Sequence, residues 1–259
     1  MKNIKDRVRA GEAVIGTFLS LGNAMTTEIV AKAGFDWVLI DLEHGIGSEK
    51  DVLHQVQALA STEVAAVVRV EGYQRQRIHK VLDLGVSGIM CPHVDNGAQA
   101  TAVTKAMRYA PEGERGVAKM VRATNFGVDF MDYHANQEKN LLCVVQIETE
   151  EALHHLDEIA SNEEVDVLFI GPADLSMALG VFGQLDHPKF LEAEAKILAV
   201  AKKYNKAVGF LLFDPSHYQK YYDKGVRFFA CGTDALFLSN GAKTVAGKLN
   251  EFKQLVTTV

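Results

Sequence analysis

Cysteine is scarce in this 259-residue chain: Cys91, Cys143 and Cys231 are the only three, each inside an apolar, strand-like run. An odd count without Cys-x-x-Cys spacing argues against a disulfide framework or a zinc site. The three read as small buried hydrophobes in a reduced compartment. Long apolar runs are missing too. None reaches the ~18 residues that span a bilayer, and the opening MKNIKDRVRAGEAVIG has no apolar signal core, so a cytoplasmic location is expected. Positive charge is in the minority, with Lys+Arg 27 against Asp+Glu 33 and a formal net charge of −6. That balance argues against a nucleic-acid or membrane-surface partner and leaves room for a local basic pocket facing an anionic substrate. Linkers, repeats and low-complexity segments are absent. So is a G-x-G-x-x-G turn, since the first strand-like run leads into SLGNAM.

What the chain does contain is 48% hydrophobic residues in one repeated rhythm. Short, near-continuously apolar runs fall at Ile15–Leu19, Trp37–Leu42, Ala65–Val70, Gly88–Pro92, Leu141–Ile147, Val165–Ile170, Ala207–Phe213 and Arg227–Cys231. Such runs suit parallel strands buried on both faces. Amphipathic stretches lie between them, over Thr26–Ala33 after the potential cap Asn23, Ser48–Ala60 with a Ser-x-x-Asp start, Gln74–Leu84, Glu150–Ser161, His187–Tyr204 and Asp214–Lys224 ahead of Gly225. About eight strand–helix alternations predict a single α/β domain over 1–259, a closed (β/α)8 TIM-type barrel; an open doubly wound sheet is the second choice. A long excursion, 95–140, follows the fourth strand and should hold helices over Gly97–Arg108 and Val128–Gln137. An extra C-terminal helix over Asn240–Leu255 could pack on a neighbouring subunit.

Barrel active sites gather at the C-terminal ends of the strands. The second strand ends Asp41-Leu42-Glu43-His44, the third at Arg69, the fifth Gln146-Ile147-Glu148 and the sixth Gly171-Pro172-Ala173-Asp174. Charges there are costly unless paired or ligated. Glu148 and Asp174 end neighbouring strands, and two hard oxygen donors suit Mg²⁺ or Mn²⁺. Each could instead cap the following helix. Arg69 suits a carboxylate or enolate-like oxyanion, or an internal salt bridge to Glu43 or Glu148. Gln146 shares the Glu148 face and could donate to a substrate oxygen. Asp41 and His44, three apart in a turn, could form a pair that makes the imidazole a base. The remaining histidines read as solvated, with His93 after Pro92 kept as a minor candidate.

These residues, together with IGTFLSLGNAMTTEIVAKAGFDWVLIDLEHG, VVRV, PHVDNGAQA, RYAPEGERG, VVQIET and IGPADLSMALG, resemble the metal-dependent (class II) pyruvate aldolases over nearly the whole chain. That family takes in 4-hydroxy-2-oxoheptanedioate and 2-keto-3-deoxy sugar-acid aldolases and is related to citrate lyase β-subunits. The resemblance implies a divalent cation (Mg²⁺ or Mn²⁺, with Co²⁺ a further option) on Glu148 and Asp174. It implies a pyruvoyl group held by Arg69, Gln146 and the amides of Ala173 and Asp174, a proton-handling His44 paired with Asp41, an Asp83 donated to a neighbouring subunit, and Leu211 lining the aldehyde pocket. It also implies a homohexamer, a trimer of dimers with exchanged C-terminal helices. Two stretches depart from the pattern: VAKMVRATNFG, expected to bring Lys119 and Arg122 near the mouth, and GFLLFDPSHY, whose Phe210 and Phe213 would make a bulky wall at the aldehyde end.

The expected reaction is reversible retro-aldol cleavage of a 4-hydroxy-2-oxo acid to pyruvate and an aldehyde. A Schiff-base route needs a lysine inside the barrel, and no apolar strand run contains one; Lys119, Lys224 and Lys243 fall in loops or helices. The alternatives are a lyase or hydrolase acting on a malyl- or citramalyl-CoA-type thioester, and a non-catalytic scaffold.

Overall fold

A computed structural model describes residues 3–257. Its strands are β1 (Val14–Leu19), β2 (Trp37–Asp41), β3 (Ala65–Arg69), β4 (Gly88–Cys91), β5 (Leu142–Ile147), β6 (Val167–Ile170), β7 (Ala207–Leu212) and β8 (Val226–Thr233). Each pairs in parallel with the next, and β1 pairs with β8, so the sheet closes into a barrel in sequence order. The helices are α1 (Ile4–Arg9), α2 (Ala24–Ala31), α3 (Glu49–Leu59), α4 (Arg75–Asp83), α5 (Gly97–Met107), α6 (Phe130–Asn140), α7 (Glu150–His154), α8 (Leu156–Ala160), α9 (Pro172–Ala178), α10 (Pro188–Lys203), α11 (Tyr218–Lys224) and α12 (Asp234–Thr257).

Local chemistry explains several of these boundaries. Asn23 accepts from the amides of Met25 and Thr26 and starts α2. Ser48 and Asp51 form the reciprocal capping box of α3. Gly225 ends α11 in the left-handed region at φ 108°. The expected helix over Glu150–Ser161 breaks at His155 into α7 and α8.

Alternate residues of each strand point inward and form one core layer, including Trp37, Leu39, Val67, Met90, Val144, Phe169 and Phe228. Trp37 stacks on Phe228 at 4.0 Å. A Cβ at Gly16 would overlap the Trp37 ring, so that position of β1 needs glycine. The outward residues pack against the helices in a second layer. Ile4 and Val8 of α1 join the inner layer and plug the floor, the N-terminal end of the barrel. There Lys5, only 1% exposed, sits 3.1 Å from Asp166 and donates to the Leu141 carbonyl at 3.0 Å. Asp166 also takes the Cys143 amide and the Arg9 side chain.

Between β4 and β5 the chain forms α5, a 3-10 segment (Arg122–Gly127) and α6. The intervening stretch follows α4 from the mouth to the floor. Arg75 bonds the Glu114 carbonyl, Gly116 bonds His79, Arg115 bonds Asp83, and Arg122 bonds the Leu84 carbonyl. This corrects the expectation for two cations. Arg122 lies at the floor end of α4, and Lys119 stands over the Phe130 ring at the start of α6, the helix whose last residue, Asn140, meets Asn3 beside α1.

Candidate active site

Strand alternation brings Asp41, Arg69, Gln146 and Glu148 to the inner face of the barrel mouth, all buried. The Arg69 guanidinium grips Asp41 with two bonds, Nε to Oδ1 at 2.9 Å and Nη2 to Oδ2 at 2.7 Å. Its Nη1 lies 2.9 Å from Glu43 Oε2 and 3.5 Å from Gln146 Oε1. Gln146 turns its amide nitrogen to Glu148 Oε2 at 2.7 Å, and Glu148 Oε1 accepts the His93 amide at 2.9 Å. One hydrogen-bonded chain thus links the ends of β2, β3 and β5. Phe18 of β1 lies beneath it, its ring centroid 5.3 Å from the Arg69 guanidinium carbon.

The two buried carboxyls are tuned in opposite directions. Burial alone would raise Asp41, but the Arg69 hydrogen bonds and charge bring it below the usual carboxylate range. Glu148 is pushed up, by burial first and then by the like charges of Asp174 and Glu43, although the His93 amide opposes this. Asp174, exposed on the first turn of α9, is therefore close enough for its charge to act on Glu148. Gly171 leaves room beside Glu148: a Cβ there would lie 2.5 Å from Glu148 Oε2 and 3.3 Å from Gln146 Nε2.

Other expected residues fall differently. The Asp41–His44 side-chain pair is not formed, because both Asp41 oxygens are held by Arg69. Asp41 instead accepts the His44 backbone amide at 3.3 Å. The His44 imidazole is 68% exposed, and its Nε2 lies 3.9 Å from Glu43 Oε2. Asp83 is at the far end of α4 from this mouth, 2.8 Å from Arg115. Leu211 packs against the inner core layer near the end of β7. Phe210 does not wall the mouth as expected; it points outward and stacks on Tyr221 of α11 at 4.0 Å, while Phe213 beyond the strand is exposed. His93 contributes its amide, with φ 49°.

Glu43, one of the two partners expected for Arg69, is its second clamp. Two contributors were not anticipated. Gly171 acts as the spacer at Glu148. Asp234 is buried at the end of β8 and accepts from Ser20 and Leu21 amides and the Thr26 hydroxyl, tying the β1 loop to the closing strand. Glu43 lies in a quoted motif and Gly171 at an inward register position, but their roles depend on distances that sequence spacing does not supply.

The charge balance of the mouth is lopsided. Asp41, Glu43, Glu148 and Asp174 face one guanidinium, Arg69, and no lysine or arginine occurs in any of the eight loops that follow the strands. Among the described residues the buried lysine is Lys5, on the floor. Burial lowers its pKa against the raising charge of Asp166, and it is out of reach of the mouth. Among the described residues no group of three or more His, Cys, Asp or Glu forms a metal cage. Glu148 and Asp174 offer a partial oxygen donor set.

A closed parallel barrel with a buried, linked polar network at the C-terminal ends of its strands is a barrel enzyme by architecture. Comparison with known proteins names the family. Residues 14–241 match the HpcH/HpaI aldolase/citrate lyase family, and the chain belongs to it. It is 38% identical over 248 residues to a pyruvate aldolase of Rhizobium etli, covering 96% of this chain and 97% of that one. It is 40% identical over 238 residues to a 2-keto-3-deoxy-L-rhamnonate aldolase of Escherichia coli, covering 91% and 88%. A solved HpcH/HpaI aldolase/citrate lyase family protein from Burkholderia cenocepacia superposes with TM-score 0.90 at 32% identity, over 95% of this chain and 98% of that one.

Proposed function

We propose that this chain, as one aldolase-type barrel domain over 1–259, catalyses reversible, divalent-metal-dependent retro-aldol cleavage of a 4-hydroxy-2-oxo acid to pyruvate and an aldehyde. The observation that carries the reading is the Arg69–Gln146–Glu148 chain set among four carboxylates. A mouth so rich in negative charge repels an oxo acid unless a cation intervenes. Glu148 and Asp174 fit that need: hard oxygens on neighbouring strand ends, with the Gly171 gap beside Glu148. Mg²⁺, Mn²⁺ or Co²⁺ held there would supply Lewis-acid stabilisation of enolate charge.

The chain's own groups do the rest. Arg69, oriented by Asp41 and Glu43, binds the pyruvoyl oxygens and steadies negative charge as it develops. Gln146 adds its amide to the same end, alongside the Ala173 and Asp174 amides of the first turn of α9, which have no intrahelical partner. The exposed His44 imidazole takes the proton from the C4 hydroxyl. The C3–C4 bond then breaks, its electron pair passing into the enolate as the aldehyde leaves, and protonation at C3 yields pyruvate. Asp41 contributes by holding Arg69 and the His44 amide. Leu211 borders the aldehyde.

Asp83 would complete a neighbouring copy's site. The homohexamer, a trimer of dimers, is supported by α12: Leu238, Val245, Leu249 and Phe252 form an apolar stripe at helical spacing, each at least 60% exposed. A cytoplasmic location fits three unpaired cysteines and the absence of any described helix long and apolar enough to cross a membrane. The CoA-thioester alternative loses support, because the strand-end loops offer no cation for CoA phosphates.

The deciding experiment is pyruvate release from a panel of 4-hydroxy-2-oxo acids. Chelation with EDTA should abolish it, and Mg²⁺, Mn²⁺ or Co²⁺ should restore it. Undiminished turnover after chelation, or in Glu148→Ala, sinks the proposal.

A further inference from the structure

Both oxygens of Glu148 already accept hydrogen bonds, Oε2 from the Gln146 side chain at 2.7 Å and Oε1 from the His93 amide at 2.9 Å. An ionised carboxylate has about four lone-pair sites, so each oxygen keeps one for a cation. The two donors fix where those sites face. Gln146 stands on the same strand, two residues earlier. His93 comes from the loop that follows β4.

That loop takes a path the chain does not follow freely. Pro92, directly after β4, has no N–H, so His93 offers the first amide beyond the strand. It reaches Glu148 with φ at 49°, in the left-handed region that a Cβ disfavours. Two residues on, Asp95 Oδ1 accepts the hydroxyl of Thr149, the residue after Glu148. The Asp95 amide donates to Gln99 Oε1 at 2.7 Å, and Val94 between them is fully buried. Two cross-links therefore join the β4 loop to the end of β5, His93 to Glu148 and Thr149 to Asp95. The second holds the loop in the conformation the first requires.

Resting on the reading of Glu148 as a cation ligand, we infer that Asp95 is a positioning residue for the divalent-metal site. Through Thr149 it holds the β4 loop so that the His93 amide fixes the Glu148 carboxylate in its ligating orientation. Without that bond the loop can relax out of the left-handed conformation and carry the amide away. Groups that orient a metal ligand in this way set affinity by about 10–100-fold.

The test is calorimetric titration of the EDTA-stripped, full-length protein with Mn²⁺. Asp95→Ala should weaken binding about tenfold or more. It leaves the Thr149 cap on the Ala152 amide of α7 in place. Asp95→Asn keeps a side-chain oxygen that accepts the Thr149 hydroxyl, so its affinity should stay within about threefold of the parent. At saturating Mn²⁺ the kcat of Asp95→Ala should also lie within about threefold of the parent, the defect appearing in the metal requirement. A purely structural role would lower the melting temperature of the metal-free protein and leave the Mn²⁺ dissociation constant unchanged, which overturns the inference. So does an Asp95→Asn variant as impaired as Asp95→Ala, because charge and not the hydrogen bond would then be responsible. Parent protein that takes up no Mn²⁺ removes the metal reading beneath; parent and Asp95→Ala binding equally well removes the inference alone.

Discussion

Arg69 shows how much a single position depends on its neighbours. Two carboxylates clamp it, so Arg69→Ala would leave the buried Asp41 and the half-buried Glu43 unpaired, at a cost of about 3–5 kcal/mol that falls chiefly on Asp41. Arg69→Lys is the cleaner probe. It keeps the charge and loses the two-point grip, so KM for pyruvate should rise and kcat fall, each about tenfold or more, with the fold intact by circular dichroism. The Asp41 carboxyl, held low, contributes stability that is full above the ordinary carboxylate range and lost as pH falls through its own lower pKa. Asp41→Asn should therefore flatten the acid limb of a thermal-unfolding series below about pH 4. Glu148 has the opposite sign. Its raised pKa means the folded state binds its proton more tightly than the unfolded chain does, so the ionised form destabilises the metal-free protein at neutral pH. Glu148→Gln should lower kcat about a hundredfold or more, yet the metal-free variant should melt no lower than the parent; a clear fall in its melting temperature would contradict this account. Gly171→Ala, which drives a methyl against Glu148 Oε2, should weaken metal binding at least tenfold by calorimetry. The polar residue types and their strand-end positions were readable from sequence. Which carboxylate Arg69 holds was not: Glu43 and Glu148 were the expected partners, and the Asp41 contact comes from the lateral pairing of Asp41 with Arg69 across β2 and β3.

At the scale of elements, β-rich apolar runs located all eight strands, because a strand buried on both faces has little alternative use for polar residues. Short helices were harder. The seven residues of α9 follow Pro172, which suits a first helical position, yet PADLSMA is too short for a periodic signal. The break at His155 between α7 and α8 was likewise hidden in one amphipathic stretch. The floor plug α1 holds six residues and was not foreseen. Its Lys5–Asp166 pair is buried and remote from the mouth. Lys5→Ala should cost about 3 kcal/mol, measured by denaturant unfolding, with kcat/KM within about twofold of the parent. A loss of catalysis at unchanged stability would place Lys5 in the chemistry instead, and borohydride trapping with pyruvate would then yield an adduct.

For the whole molecule, the exposed apolar stripe on α12 and the Asp83 site at the far end of α4 both bear on assembly. Sedimentation of the intact chain should give a mass near six copies, and truncation before Leu238 should reduce it. A monomer retaining full activity would remove the shared-site role of Asp83. The sequence by itself determined the barrel, since eight apolar runs alternating with amphipathic ones have one low-energy closed arrangement. It also determined the supply of chemistry, an acid-rich set of strand ends with one arginine. Only the tertiary structure decided how that chemistry is wired. The Asp41–Arg69–Glu43 clamp, the outward Phe210, the Gly171 gap and the descent of Lys119 and Arg122 away from the mouth depend on distances between segments far apart in the chain. Residue spacing determines which face a side chain takes, and closure of the barrel determines what it meets there.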